Sequence, residues 1–420
     1  MAMKFNLHGL TLLILLSATC FGQSGIQSRS RPQKPVSVPE KNEVKLKKAI
    51  IYIENSESMF GYVSQISEYV DVLAELSEKP EFVRDKIPVE FNFINGTGPT
   101  LTPLGNNPSV LKNKLNRAGF SCGDITRSNL NGMFQVALKN AVNNAITLLI
   151  SDGIYDIGGT GINSLVTEGK GTRSQFISRL VQGDLQTIII KLRSRFDGEY
   201  FYTSKSGKIK LNGTRPYYIW IFGDSKLLNL YFPNEYISTK LAGFENMARF
   251  IKPGTVKVSY QATAEKSAGT FRFDRNTVNR LNDAKPDKHG LGFQFSIAVD
   301  YSKLPYPESY LTSADNYIVP EKYSIVSITK PATKIYGVSF TPTHLITVKT
   351  MKNPAGMLTL SLVNRVPAWI KETSSDSENN ILQDKSHTFG FSYLTGGMIQ
   401  AYESVSDDKS IAAFNIDIHL

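Results

Sequence analysis

Two nearly unbroken apolar runs stand out in the first half of the chain, at residues 50–53 (IIYI) and 145–150 (AITLLI). Runs without polar alternation are typical of central strands that are buried on both faces of a parallel sheet. Apolar residues at helical spacing and further strand-like runs lie around them, at residues 61–76, 89–94, 131–142, 186–192 and 217–222. This alternation predicts an α/β domain over residues 45–250, with a doubly wound, mostly parallel sheet that is covered by helices on both faces.

The pattern changes after Pro253, where short β-type runs separated by turn residues replace the alternation of strands and helices. Several runs have period two, as in residues 293–299, where every second residue is apolar. This pattern predicts an all-β, sandwich-like domain over residues 254–420. One late helix is expected within residues 389–402, followed by a closing strand at 411–419.

The N-terminus has the order of a secretory signal peptide. A weakly basic start precedes the apolar run LTLLILL and then small residues, which predicts a signal peptide over residues 1–22. Cys20 leaves a lipoprotein alternative open, although Thr19 fits that motif poorly. Residues 23–44, rich in Ser, Pro, Lys and Gln, predict a disordered tether. We therefore expect an exported protein, periplasmic, in the cell envelope or extracellular, without a transmembrane helix in the mature chain.

Composition narrows the function further. The net charge is +10, but the Lys and Arg residues are scattered, so a nucleic-acid partner is not predicted. There are only two cysteines, Cys20 and Cys122, which excludes a disulfide framework once the signal peptide is removed. The five histidines are dispersed and none has HExxH spacing, which argues against a zinc hydrolase of the usual type.

Oxygen-bearing side chains follow both apolar runs. Glu54, Ser56 and Ser58 come directly after the first run, and Asp152 comes after the second. Ser128, or alternatively Thr126, precedes the helix at residues 131–142. The carboxyl ends of parallel strands meet at one sheet edge, where open α/β sheets bind ligands. Carboxylate and hydroxyl oxygens suit a hard cation such as Mg²⁺.

The order Glu54-x-Ser56-x-Ser58, then Ser128, then Asp152-Gly resembles the von Willebrand factor A (vWA) domain and its metal-ion-dependent adhesion site, or MIDAS. The resemblance covers about residues 46–224, and the chain departs from the family pattern in having Glu54 for Asp and Ser128 for Thr. It implies a vWA/Rossmann-like fold and a Mg²⁺ (or Mn²⁺) ion held by these five residues. It also implies that the ion binds an acidic side chain of a protein partner, so the activity would be adhesion or assembly and not catalysis. Asp156 and the loop to residue 171 would form part of the rim.

Other interpretations of these residues remain open. Ser56 and Ser58 could cap the following helix, and Asp152 could form an Asx turn with Gly153. Both are consistent with a metal-free structural scaffold that carries a degenerate site. A metal-dependent hydrolase with Glu54 or Asp152 as general base is the weakest reading, because no activated nucleophile or suitably placed histidine accompanies the acids.

Overall fold

A computed structural model describes residues 44–155, 162–202 and 207–420. The predicted signal peptide, all of the predicted tether except Val44, and the predicted rim residue Asp156 lie outside the described residues. None of the described helices is both long and apolar enough to cross a membrane.

The first half of the described chain forms a seven-stranded sheet with the order β3-β2-β1-β4-β6-β5-β7. Its strands are β1 (Lys48–Glu54), β2 (Val89–Asn95), β3 (Thr100–Gly105), β4 (Ala145–Ser151), β5 (Gln186–Phe201), β6 (Lys208–Gly223) and β7 (Phe244–Ile251). The two apolar runs are β1 and β4, and they are hydrogen-bonded neighbours at the centre of the sheet. Their residues are almost wholly buried, as the lack of polar alternation predicts.

The prediction of a mostly parallel sheet is corrected by the structure. Only β2, β1 and β4 run parallel to one another. The strands β3, β6, β5 and β7 all join antiparallel, so the sheet is mixed. For β5 and β6 the reason is their hairpin: both strands are 16 residues long and pair along their whole length as one ribbon. A hairpin can only return antiparallel.

Helices cover both faces of this sheet. The α-helices of the described residues are α1 (Glu68–Ser77), α2 (Pro80–Arg84), α3 (Pro108–Lys114), α4 (Arg117–Phe120), α5 (Leu130–Asn140), α6 (Ile162–Leu180), α7 (Ser225–Tyr231), α8 (Asn234–Lys240), α9 (Glu308–Leu311), α10 (Ala368–Thr373), α11 (Glu378–Gln383) and α12 (Phe391–Ser404). On one face Tyr69 of α1 packs against Tyr217 of β6, with ring centroids 4.9 Å apart. On the other face Phe134 of α5 packs against Trp220, at 5.4 Å.

The second half contains two larger sheets packed around a shared apolar core. Its strands are β8 (Ser259–Ala268), β9 (Thr270–Phe273), β10 (Arg280–Lys285), β11 (Phe293–Asp300), β12 (Tyr317–Ile318), β13 (Ser324–Thr329), β14 (His344–Thr350), β15 (Gly356–Val363), β16 (Ser374–Ser375), β17 (Thr388–Phe389) and β18 (Ser410–Ile418). One sheet has the order β12-β15-β18-β10-β9 and the other β13-β14-β11-β8. Pairing within these two sheets is antiparallel except between β10 and β18, and β16 and β17 form a separate parallel pair. Phe295 and Phe414 belong to one buried cluster that both sheets share.

The late helix packs on the large sheet's helical layer. The helix α12 begins and ends within two residues of the predicted segment, and it crosses α6 at a close approach between Gly169 and Gly397. A Cβ atom on Gly397 would lie 2.1 Å from the carbonyl oxygen of Gly169. The hydroxyl of Tyr402 also hydrogen-bonds that of Thr187 on β5, at 2.8 Å. The apolar core of the large sheet therefore includes residues from the last quarter of the chain.

Candidate functional site

The two site carboxylates lie at the carboxyl ends of neighbouring parallel strands. Glu54 is the last residue of β1, and Asp152 follows Ser151, the last residue of β4. The register pairs Ile53 with Ile150, so both strands end at the same sheet edge. Glu54 is 1% exposed and Asp152 is 4% exposed. The chain thus places two acids side by side in an environment from which water is largely excluded.

The turn after β1 carries the serines. A 3-10 turn, Glu57–Tyr62, begins directly after Ser56, but the Ser56 hydroxyl does not cap it. That hydroxyl donates to Oε1 of Glu54 at 2.7 Å and lies 3.1 Å from the hydroxyl of Ser58. The next helix, α1, is capped by Ser67 instead. The helix-capping interpretation of Ser56 and Ser58 is therefore wrong, and both side chains point into the site.

Backbone hydrogen bonds fix the loop that carries Ser128 against the same edge. The carbonyl of Arg127 accepts from the N–H of Gly96, which follows β2, and the carbonyl of Ile125 accepts from the N–H of Glu57. Ser128 forms an isolated parallel β-bridge with Gly96. Its hydroxyl hydrogen-bonds the Glu54 carboxylate, which lowers the pKa of Glu54. The alternative residue, Thr126, instead donates to Asp124 at an exposed position, at 2.8 Å.

The structure therefore brings together all five predicted side chains. Glu54 is joined by Ser56 and Ser128, and its pKa is raised in part by the negative charge of Asp152. Asp152 in turn is in hydrogen-bonding reach of Ser58, which lowers its pKa.

Burial controls the protonation of the pair. Desolvation is the largest cause that raises the pKa of Glu54 to about 7, and the negative charge of Asp152 is the next. Hydrogen bonds from the hydroxyls of Ser128, Ser151 and Ser56 lower this pKa and so oppose the rise. Burial also raises the pKa of Asp152, opposed mainly by the positive charge of Arg215. Glu54 therefore keeps its proton to a higher pH than an ordinary glutamate does.

One oxygen of each carboxylate already has a partner. Oδ1 of Asp152 accepts the N–H of Ile154 at 3.2 Å, and Gly153 between them has φ +73°. This is the Asx turn that the sequence allows. By contrast, Oε2 of Glu54 is buried and has no hydrogen-bond partner of acceptable geometry among the described residues. An unsatisfied buried carboxylate oxygen costs about 1–3 kcal/mol or more, so this atom is poised for a further ligand.

Two asparagines that the sequence did not single out, Asn55 and Asn95, hold the turn after β1 in place. Nδ2 of Asn55, which is fully buried, donates to the carbonyls of Phe120 and Cys122 at 2.8 and 2.9 Å. Oδ1 of Asn55 accepts from Asn95, at the end of β2, at 3.0 Å. These bonds hold the β1 turn, β2 and the loop before α5 in one arrangement. A polar residue at the end of an apolar strand was the only available signal for either.

A third missed residue is Arg215 on β6, which is 2% exposed and acts electrostatically on Asp152. In the sequence it precedes a proline at the start of an aromatic run, a context that gives no sign of proximity to the site.

The donor set fits a hard divalent cation. Two carboxylates and three hydroxyls are oxygen ligands of the type Mg²⁺ and Mn²⁺ take, and Oε2 of Glu54 lacks a partner. Glu54, Ser56, Ser58, Ser128 and Asp152 are the residues that would hold such an ion.

Comparison with known proteins adds no assignment: no protein-family model matches the chain, and neither does any curated protein.

Proposed function

We propose that the protein is a vWA-like binding module for adhesion or assembly, in which a divalent cation at this sheet edge binds an acidic side chain of a protein partner. The observation that carries the proposal is the convergence of five oxygen-bearing side chains from three separate segments around a buried carboxylate oxygen that lacks a partner. The location of this cluster at the carboxyl ends of the parallel strands β1 and β4 supports the vWA-like interpretation.

The chemistry of the ligands favours binding over catalysis. Hydroxyl groups are neutral ligands, so three of the five side chains would add no negative charge to a bound cation. Ser58 and Ser128 are half-buried, whereas both acids are buried. A partner's carboxylate would therefore approach from the serine side. The exported location remains a proposal that rests on residues 1–22.

Calorimetric titration with Mn²⁺ and Mg²⁺ tests the metal site. The wild-type protein should bind one ion, and Asp152→Asn should weaken binding by about tenfold or more. The asparagine keeps an oxygen for the N–H of Ile154, so the turn should survive. Ser58→Ala should also weaken binding. Its matched control is Ser64→Ala, which removes an exposed hydroxyl that bonds only the Gly61 carbonyl.

A second experiment tests the acidic partner. The immobilised protein is exposed to an envelope fraction of the native host in Mg²⁺ or in EDTA. Retention of a partner should require Mg²⁺, be lost in Asp152→Asn and persist in Ser64→Ala. It should also be lost when the carboxylates of the fraction are first capped with carbodiimide and ethanolamine. Retention that survives both EDTA and capping contradicts the proposal.

A metal-free scaffold is the second candidate. Two observations favour it: Asp152 already serves as a turn residue, and Arg215 supplies a positive charge next to the acids. Failure of the wild-type protein to bind Mn²⁺ or Mg²⁺ at millimolar concentration would select this candidate.

A further inference from the structure

The guanidinium of Arg215 is buried, and no acidic side chain among the described residues forms a direct ion pair with it. Arg215 is 2% exposed, and its Nη1 has no hydrogen-bond partner among the described residues. The group lies over the rings of Tyr200 and Phe196, with its central carbon 5.0 and 5.5 Å from their centroids. Aromatic faces stabilise a cation only partly, whereas desolvating a charge costs several kcal/mol. Some other negative group must therefore balance it.

The path of β6 brings Arg215 to the candidate site. Pairing between β4 and β6 ends at Ser151 with Tyr218, and β6 extends beyond the carboxyl end of β4. Tyr217 lies on the same strand face as Arg215, two residues away, and packs on Tyr62 of the site turn at 5.7 Å. The hydroxyl of Tyr62 donates to the carbonyl of Pro216 at 2.5 Å.

The electrostatic effects agree with this placement. The charge of Arg215 lowers the pKa of Asp152 and opposes the rise in the pKa of Tyr62. Asp152 thus lies within the electrostatic influence of a cation that belongs to the protein.

The ribbon that carries Arg215 is firmly seated. It packs against the turn after β1, where Gly61 and Gly198 are in contact: a Cβ atom on Gly198 would lie 2.6 Å from the Cα of Gly61. A Cβ atom on Gly61 would lie 2.3 Å from the ring of Phe196. These contacts hold the ribbon, and with it the backbone of Arg215, close against the turn after β1.

We propose that Arg215 is the built-in counter-cation of the Glu54–Asp152 pair, and that it weakens and tunes the binding of a divalent ion at this site. The inference rests on the proposed function only in taking the site to be one that a divalent ion can enter. A fixed positive charge close to a bound divalent ion repels it, and in the low-dielectric interior of a protein this repulsion weakens the affinity for the ion. Arg215 is a tuning residue in this scheme and not a ligand.

The test measures Mn²⁺ affinity by calorimetry at constant pH and ionic strength. Arg215→Gln should bind Mn²⁺ at least about tenfold more tightly than the wild type, because the repulsion is removed. Arg215→Lys keeps the charge and should stay within about threefold of the wild type. The matched control is Arg195→Gln, which makes the same charge change on the same ribbon at a side chain that is 51% exposed; its affinity should also stay within about threefold.

The sign of the effect separates this role from a structural one. If Arg215 only supported the fold, its replacement would loosen the site and weaken Mn²⁺ binding. Unchanged or weaker binding by folded Arg215→Gln, judged by its near-ultraviolet circular dichroism, overturns the inference. Should that variant fail to fold, Arg215→Met keeps an unbranched chain against the two rings and carries the same expectation.

The wild-type result separates the two proposals. If the wild type binds no Mn²⁺ but Arg215→Gln does, the inference stands and cation-dependent binding by the wild type fails. If the wild type binds Mn²⁺ and Arg215→Gln binds no more tightly, the proposed function stands and the inference fails. If neither protein binds the ion, the inference fails as well.

Discussion

Replacing Glu54 by glutamine should change how the stability of the metal-free protein depends on pH. Glu54 is fully buried, and burial together with the charge of Asp152 raises its pKa from 4.5 to about 7. Between these two values the folded protein keeps a proton that the unfolded chain releases. The contribution of Glu54 to the free energy of unfolding is therefore fully present below about pH 4.5 and is lost as the pH rises through 7. The Glu54→Gln side chain cannot ionise, so this contribution is absent from the variant.

The expected magnitude follows from the same pKa values. The interval from 4.5 to about 7 spans about 2.5 pH units, which corresponds to about 3 kcal/mol at about 1.4 kcal/mol per unit. When the pH is raised from 5 to 8 in EDTA, the free energy of unfolding of the wild type should fall relative to that of Glu54→Gln by most of this amount. At pH 8 the variant gains on the wild type, although it has lost a native side chain.

Urea unfolding followed by tryptophan fluorescence at pH 5, 6, 7 and 8 provides the assay. Glu57→Gln is the matched control, because it removes a half-buried carboxylate from the same turn without altering the Glu54–Asp152 pair. Its pH profile should run parallel to that of the wild type. Parallel profiles for the wild type and Glu54→Gln would refute the reasoning, since they would mean that Glu54 has the same pKa in the folded and unfolded states.

Three further changes test the packing around the site and its supporting layer, each by the midpoint of urea unfolding. Gly61→Ala places a Cβ atom 2.3 Å from Phe196 and should cost about 1–3 kcal/mol, whereas Gly98→Ala has no atom within 4 Å and should change stability by less than about 0.5 kcal/mol. Equal effects of the two would contradict the close contact of ribbon and turn. Asn55→Ala removes a buried amide that donates to two carbonyls and accepts from Asn95, and it should cost about 2–4 kcal/mol; a loss below about 0.5 kcal/mol would show that the turn is held in another way. Tyr402→Phe removes a buried hydroxyl bond between α12 and the sheet and should cost about 1 kcal/mol, and an unchanged midpoint would argue against that docking.

The sequence alone determined the centre of the sheet and the residues of the candidate site. The runs that form β1 and β4 are apolar because both faces of these strands are buried, and that requirement is visible at every position. Both acids and two of the serines, Ser56 and Ser58, follow these strands closely, so their convergence at one edge depends only on β1 and β4 lying parallel and adjacent. Ser128 reaches the same edge through its own loop, which backbone hydrogen bonds hold against Gly96 and Glu57.

Only the tertiary structure decided the direction of the later strands. Residues 217–222 were predicted as a strand, but the same apolar run suits a parallel or an antiparallel neighbour. The choice was made by the hairpin ribbon that pairs β5 with β6. In the same way, nothing in the sequence of α12 indicates that it packs on α6, because the small residues that permit this contact lie more than 200 positions apart.

The position of Arg215 shows most clearly what could not be predicted from the sequence. It is 63 positions from Asp152 and 161 from Glu54 along the chain. The residues next to it predict only the start of an ordinary strand. Its influence on the acids arises because the ribbon extends beyond β4 and folds over the turn at Gly61. Hydrophobic periodicity is a property of neighbouring residues and can be read locally. Electrostatic interaction depends on distance in space and on the exclusion of water, and both exist only once the chain has folded.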